Sequence, residues 1–495
     1  MFAADRLSRR GVLVGGAALA AARLSAQPSR PDRLVRPFLG IRYAEAARFG
    51  APRPIFDRPP LGRFGPACPQ SDRRYQPQDE DCQFLNVWAP RDARRGSLPV
   101  MAYIHGGAYS NGSVTDPLND GARLAERGNV VVVTINHRLN ALGYLYLPDR
   151  FLDSGNAGQL DLVCALQWIR RNIAEYGGDP GNVTLFGQSG GGAKIATLMA
   201  MPAARGLFHK AITMSGQQVT ASGPLHARQR ARAFLDRLGT DPAVAPTEAL
   251  IAALGATDPI LGGGVYMGPV LDMRSLTRHP FWPDPAPQGN AIPLLLGNTV
   301  AETRAFFPPD HPRLQGLDWT NLAERAGPEL KVDIDPAWTL ARFRERYPAA
   351  SPEQIFHRMV TAGRSWRGQV EEADARARAG ARHTWVYQLD FEQAKHTDDI
   401  GLAFGTTAGE SPARAAMSDR LMQAFVRFAR TGNPNHAAIP HWPAYDLANR
   451  SVMLFDAPPR LVDDPFRSER VYMDRSPLFL PASIGDHGSP IRGIR

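Results

Sequence analysis

Ser189 stands between two glycines in Phe186-Gly187-Gln188-Ser189-Gly190-Gly191-Gly192, directly after the strand-like run Asn182-Val183-Thr184-Leu185-Phe186. A serine at a sharp strand-to-helix turn is held in a strained backbone conformation that exposes its hydroxyl, and side chains at the flanking positions would collide with neighbouring backbone. The following stretch, Ala193-Lys194-Ile195-Ala196-Thr197-Leu198-Met199-Ala200, reads as a helix. Ser189 would then sit at a helix N-terminus, where unpaired N–H groups can meet developing negative charge. By itself the pattern is also that of a Gly-rich turn; the strand before it and the helix after it favour a nucleophile.

A serine that attacks an acyl carbon needs a base for its proton, a carboxylate to orient that base, and N–H donors for the oxyanion. Where a serine sits on such an elbow, the acid and then the histidine follow in the chain, each in a loop beyond a later strand. Downstream, Ile292-Pro293-Leu294-Leu295-Leu296-Gly297 reads as a strand and Glu302 falls just beyond it. Next, His383–Phe391 reads as a strand and His396 follows within a short loop, so the intervals from serine to acid to histidine are 113 and 94 residues. His383 lies at that strand's opposite end, His311 and His357 fall in an inserted segment, and His436, His441 and His487 fall in later loops. For the oxyanion, the strand Leu98–Ile104 runs into His105-Gly106-Gly107-Ala108-Tyr109. Small residues there let backbone approach a ligand, so the N–H groups of Gly107, Ala108 and Gly190 are the expected donors, although a tight strand-end turn would read the same.

The elements that must position these residues alternate. Strand-like runs at 98–105, 129–137, 182–186, 211–215, 292–298 and 384–391 are separated by helical patterns, and Val130-Val131-Val132-Val133-Thr134-Ile135 is almost wholly apolar, as in a strand covered on both faces. The expected fold is α/β, a mainly parallel sheet with helices on both faces. Two long insertions, near 217–290 and 303–382, carry helical patterns such as Arg228–Leu238 and Trp338–Tyr347 and are expected to cap the site. The Gly262-Gly263-Gly264 run lacks the lysine of a phosphate-binding loop.

The N-terminus is different. Arg6 and Ser8-Arg9-Arg10 precede an apolar run from Gly11 to Ala22, and Leu24-Ser25-Ala26 could be cleaved. Residues 1–26 thus read as a twin-arginine-type export signal, with 27–495 as a single domain in the periplasm or outside the cell. The run is too short and too rich in Ala and Gly for a stable membrane anchor. The net charge of +9 includes +3 from this segment. Of 57 basic residues only Lys194, Lys210, Lys331 and Lys395 are lysines, and no basic run is interleaved with aromatics, so nucleic acid is not an expected partner. Cys68 and Cys82 share one polar stretch of an exported chain and are expected to form a disulfide. Cys164, in an apolar helical pattern, reads as a small buried residue. Cysteines and histidines lack zinc-ligand spacing, and neither a metal nor a cofactor is expected.

Taken together, the chain resembles the type-B carboxylesterase/lipase family, the cholinesterase-like branch of the α/β-hydrolases that includes bacterial para-nitrobenzyl esterases. The matching motifs run from Glu80-Asp81-Cys82-Gln83-Phe84-Leu85-Asn86-Val87 through His105–Tyr109, Asn136-His137-Arg138-Leu139-Asn140-Ala141-Leu142-Gly143 and Gly155-Asn156-Ala157-Gly158. They continue through Asn172–Pro180, the elbow, Gly268-Pro269-Val270 and Phe428-Ala429-Arg430-Thr431-Gly432-Asn433-Pro434. The resemblance implies an α/β-hydrolase fold, Ser189 as the acyl-enzyme nucleophile, Glu302 as the acid and His396 as the general base. It also implies pairing of Cys68 with Cys82, and support of the triad by Ser215 and by Asp399.

Two positions depart from the family pattern, which has Glu before the nucleophile and Ala after it, where this chain has Gln188 and Gly190. Loss of that carboxylate should make anionic or uncharged substrates more acceptable than cationic ones, and Gly190 should make a more flexible oxyanion donor. The expected reaction is hydrolysis of small-to-medium carboxylic esters. An amide, carbamate or lipid ester on the same triad is the alternative, and a non-catalytic binding module would lack part of a triad that is complete here.

Overall fold

The computed structural model describes residues 34–260 and 264–475. The proposed export signal lies outside them.

Each residue of Val131-Val132-Val133-Thr134-Ile135 is buried, and alternate side chains enter two separate apolar cores. Val131, Val133 and Ile135 join the core built on helix Ala157–Asn172, while Val132 joins that of helix Pro412–Thr431. A period of two with both phases apolar is what a strand needs when helices cover both faces. Met101 and Tyr103 divide from Val100, Ala102 and Ile104 in the same way.

In chain order the strands are β1 (Val35–Arg42), a small ribbon of β2 (Ala44–Glu45) and β3 (Arg53–Pro54), β4 (Phe84–Pro90), β5 (Leu98–Ile104), β6 (Val131–Ile135), β7 (Gly178–Gln188), β8 (Lys210–Met214), β9 (Leu294–Thr299), β10 (Thr384–Leu389), β11 (Ser451–Phe455) and β12 (Arg460–Asp463). Ten of them form one sheet in the order β1-β4-β6-β5-β7-β8-β9-β10-β11-β12. From β6 to β11 all pairings are parallel; β1, β4 and β12 add antiparallel margins. This is the α/β-hydrolase architecture expected from sequence, with both margins added: β1, β4, β11 and β12 are not among the strand-like runs read from the chain.

The chain leaves β5 for β6 on one side and returns to β7 on the other, so strand order reverses at β5. Connections diverge there and open a crevice at the carboxyl ends of β5 and β7. Helices fill the connections after β8 (Pro224–Leu238, Thr247–Ala253, Pro287–Asn290) and after β9 (Leu322–Leu330, Pro336–Arg346, Pro352–Val360, Arg367–Arg378), the regions expected to be inserted.

A buried ion pair fastens the end of β6 to the next long helix. Arg138 binds Asp161 through Nε at 2.9 Å and Nη2 at 2.7 Å, and its Nη1 donates to the Gly50 carbonyl at 2.9 Å. The expected Cys68–Cys82 disulfide is not formed: both stand as buried free thiols. They are neighbours nonetheless. Burial, followed by a hydrogen bond with Cys68, pushes the Cys82 thiol well up, and the Leu139 N–H donates to Cys68 Sγ at 3.2 Å. Cys164 is a third buried free thiol.

Candidate active site

β7 stops at Gln188, and Ser189 takes φ 54° and ψ −123° before helix Gly190–Ala200 begins. That left-handed conformation costs a non-glycine residue about 1–3 kcal/mol, and the surroundings enforce it. Ser189 N–H donates to the Met214 carbonyl at 2.7 Å, and its own carbonyl accepts from Ala193 N–H at 3.0 Å. The turn crosses β5 so closely that a Cβ on Gly191 would lie 1.9 Å from the Ile104 carbonyl oxygen. Glycine is therefore a steric requirement at 191.

Glu302 follows β9 and is wholly buried. One carboxylate oxygen accepts from Ser215 Oγ at 2.6 Å and from Thr299 N–H at 2.8 Å. The other meets His396 Nδ1 in a short hydrogen bond. Burial alone would raise this carboxyl, but the imidazole beside it and these donors outweigh burial and hold it below the ordinary value. His396 comes from the loop after β10 and is 5 % exposed. With Nδ1–H committed to Glu302, the ring presents a lone pair at Nε2. The Gln188 amide nitrogen lies 3.1 Å from Nε2 and fills it. Asp399 is buried in the first turn of helix Asp398–Phe404, accepts from Tyr387 Oη at 3.3 Å, and is pushed up to about 7 by burial and by Glu302.

Gly107 has φ +83° and Ala108 φ +52° in the turn leaving β5. Both line a cavity of about 570 Å³ together with Ser189, Gln188 and His396. Gly190, the third expected donor, is the first residue of the following helix. The sequence-predicted residues thus converge: five strand ends bring Gly107 and Ala108, Ser189, Ser215, Glu302 and His396 together from positions up to 289 residues apart.

Several wall residues escaped the sequence reading. Arg74 and Tyr75 come from the loop after Cys68, Asp116 and Leu118 from the loop after β5, and Tyr266, Phe306 and Arg364 from the segments beyond β8 and β9. The Phe306 ring lies 4.8 Å from the His396 ring, and the Arg364 guanidinium 4.9 Å from Phe306. Nothing in their local sequence marks them, because loops and helical turns, not strand ends, carry them inward. Lys194 was also missed; a lysine within an otherwise apolar helical run was the available signal.

The profile of the carboxylesterase family matches residues 25–473. Among curated relatives, the para-nitrobenzyl esterase of Bacillus subtilis is 34 % identical over 479 residues, covering 88 % of this chain and 94 % of that one. A protein of Rhodococcus erythropolis named as a probable N-octanoylanthranilate hydrolase is 35 % identical over 442 residues, covering 84 % and 93 %. Among solved structures, the Geobacillus stearothermophilus carboxylesterase EST55 superposes with a TM-score of 0.78 at 34 % identity, covering 90 % of this chain and 97 % of that one.

Proposed function

The chain belongs to the carboxylesterase family and is an ester hydrolase, and from that premise we propose that it cleaves esters through an acyl-enzyme on Ser189. The observation that carries this reading is the buried hydrogen-bonded line from Ser215 through Glu302 to His396, which lines the same cavity as Ser189. In this mechanism His396 Nε2 takes the Ser189 proton as Oγ attacks the carbonyl carbon. Glu302 fixes the tautomer and faces the imidazolium that forms. The N–H groups of Gly107, Ala108 and Gly190 receive the oxyanion, each such donor contributing about 3 kcal/mol. The tetrahedral adduct collapses as the alcohol leaves with the proton from Nε2, and water repeats the cycle on the acyl-enzyme. Gln188 must release Nε2 before Ser189 can use it.

A cavity of about 570 Å³ suits small-to-medium esters. An amide is the second reading, favoured by the relative named for N-octanoylanthranilate hydrolysis. Ser189→Ala should lower kcat for a p-nitrophenyl ester by at least about a thousandfold and abolish labelling by a phosphonate. Retained turnover in that variant would sink the assignment.

Export by the twin-arginine route is part of the same proposal, supported by Arg9-Arg10 and the apolar run after them. In an oxidising compartment the neighbouring thiols of Cys68 and Cys82 would pair. N-terminal sequencing and thiol alkylation of the chain from cell fractions test both; an uncleaved cytoplasmic chain with three free thiols would overturn them.

A further inference from the structure

Lys194 lies on helix Gly190–Ala200, five residues after the nucleophile, and is 0 % exposed. Its Nζ donates to the Ala108 carbonyl oxygen at 2.6 Å and sits 5.0 Å from the centroid of the Tyr109 ring. Among the described residues no carboxylate pairs with it. A buried ammonium without a counter-charge is expensive, and burial accordingly draws the Lys194 pKa down to about 7. Leu or Met would fill the same space without that cost, so the amine at this position calls for a reason.

The reason lies one helical turn back. Residues 190 and 194 share one face of the helix, and a Cβ on Gly190 would fall 2.1 Å from the Ala108 oxygen and 2.4 Å from its Cα. The Ala108 peptide therefore occupies the room that any side chain at 190 would take. Ala108 is held there at φ +52°, a conformation that costs a residue with a Cβ about 1–2 kcal/mol and needs an external restraint. Glycine at 190 supplies the room and Lys194 the restraint.

We propose that Lys194 is the positioning residue of the oxyanion hole: by gripping the Ala108 carbonyl from the nucleophile's own helix it pins residue 108 in its positive-φ conformation, and so holds the Ala108 N–H, one peptide plane earlier, in place relative to that of Gly190, and it requires glycine at 190 to do so. This rests on Ser189 being the nucleophile. The titratable groups packed around the amine are His105 and His137, stacked with centroids 4.9 Å apart, and Tyr109. Burial, with the Lys194 charge second, draws His105 down to about 3 and His137 well below its ordinary value. Both imidazoles are neutral near pH 7, so in this cluster the lysine is the group that changes charge there. Below about 7 it grips Ala108 as an ammonium; above, it does so as a weaker, neutral donor.

The test uses the full chain and p-nitrophenyl butyrate, with kcat and KM measured against pH for wild type, Lys194→Met, Gly190→Ala and the double variant. A trifluoromethyl ketone serves as oxyanion-forming inhibitor. Wild-type kcat should decline above about pH 7; Lys194→Met should lower kcat by about a hundredfold with KM within about threefold, weaken the inhibitor by the same factor, and lose that alkaline decline. Gly190→Ala should be costly in the native background and clearly less so once Lys194 is gone, because the Ala108 backbone is then free to withdraw. A folded Lys194→Met with wild-type kcat and pH profile, or costs that simply add, would overturn the proposal. Should Lys194→Met fail to fold, Lys194→Arg and Gly190→Ala remain: Arg should restore most of kcat, and a harmless Gly190→Ala overturns the proposal alone. Turnover persisting in Ser189→Ala would instead overturn the reading beneath it.

Discussion

At the scale of single residues the proposed mechanism turns on who holds His396 Nε2. In the structure it is the Gln188 amide, 3.1 Å away, which can donate to a neutral ring and is repelled by a protonated one. A carboxylate at 188 would reverse that preference and favour the imidazolium, which cannot act as a base. Gln188→Glu is therefore expected to move the acid limb of kcat/KM up by about one pH unit while leaving the rate at high pH close to wild type. An unchanged limb in a pH-rate profile would show that residue 188 does not couple to the base. Besides the flexibility expected of the glycine at 190, its missing side chain leaves space that Ala108 occupies.

At the scale of elements, strand ends supply the reacting groups and the inserted helical segments supply the walls. Arg364 is the clearest case. It lies in the π-helical turn Thr361–Trp366, its side chain is 14 % exposed, and its Nε is buried without a hydrogen-bond partner. Its Nη1 is 3.4 Å from Glu329, but that one carboxylate also faces Arg313 at 3.1 Å and Lys331 at 3.6 Å. Three cations thus share the Glu329 carboxylate, and of these Arg364 lines the cavity. Asp116, which also lines the cavity, is engaged by Tyr75 Oη at 2.9 Å and Leu118 N–H at 3.0 Å. Substrates carrying a carboxylate should benefit from Arg364. Arg364→Met is expected to lower kcat/KM for the half-ester of a dicarboxylic acid by about tenfold to a hundredfold, with little change for its neutral diester. Equal losses on both substrates would mean that Arg364 only shapes the wall.

At the scale of the whole molecule, the buried site carries a stability cost that depends on pH. Asp399 has one oxygen with no partner, and burial together with Glu302 raises it from 3.8 to about 7. The folded protein therefore binds a proton that the unfolded chain has released between these two values. Stability must fall as pH rises through that window, and the penalty is complete above about 7. Asp399→Asn removes the titrating group without changing the shape of the side chain. Its melting temperature should match wild type near pH 4 and exceed it by several degrees near pH 8, as followed by circular dichroism. A difference that does not grow with pH would contradict the raised carboxyl.

The residues proposed as nucleophile, acid and base could be picked out in the chain because each is bound to a local pattern. The elbow needs glycines around Ser189, and Glu302 and His396 each follow a strand whose apolar run is visible. The parallel centre of the sheet was legible for the same reason, since burial on both faces leaves β6 nearly all apolar. Tertiary structure alone placed Phe306 against His396 and Arg364 against Phe306, set three cations around Glu329, and laid the Ala108 carbonyl over Gly190. None of these contacts leaves a period or a motif, because each joins residues whose distance in space is set by how loops and helices settle on the finished sheet. Composition marked Lys194 as one of four lysines; only packing revealed it buried beneath the oxyanion loop.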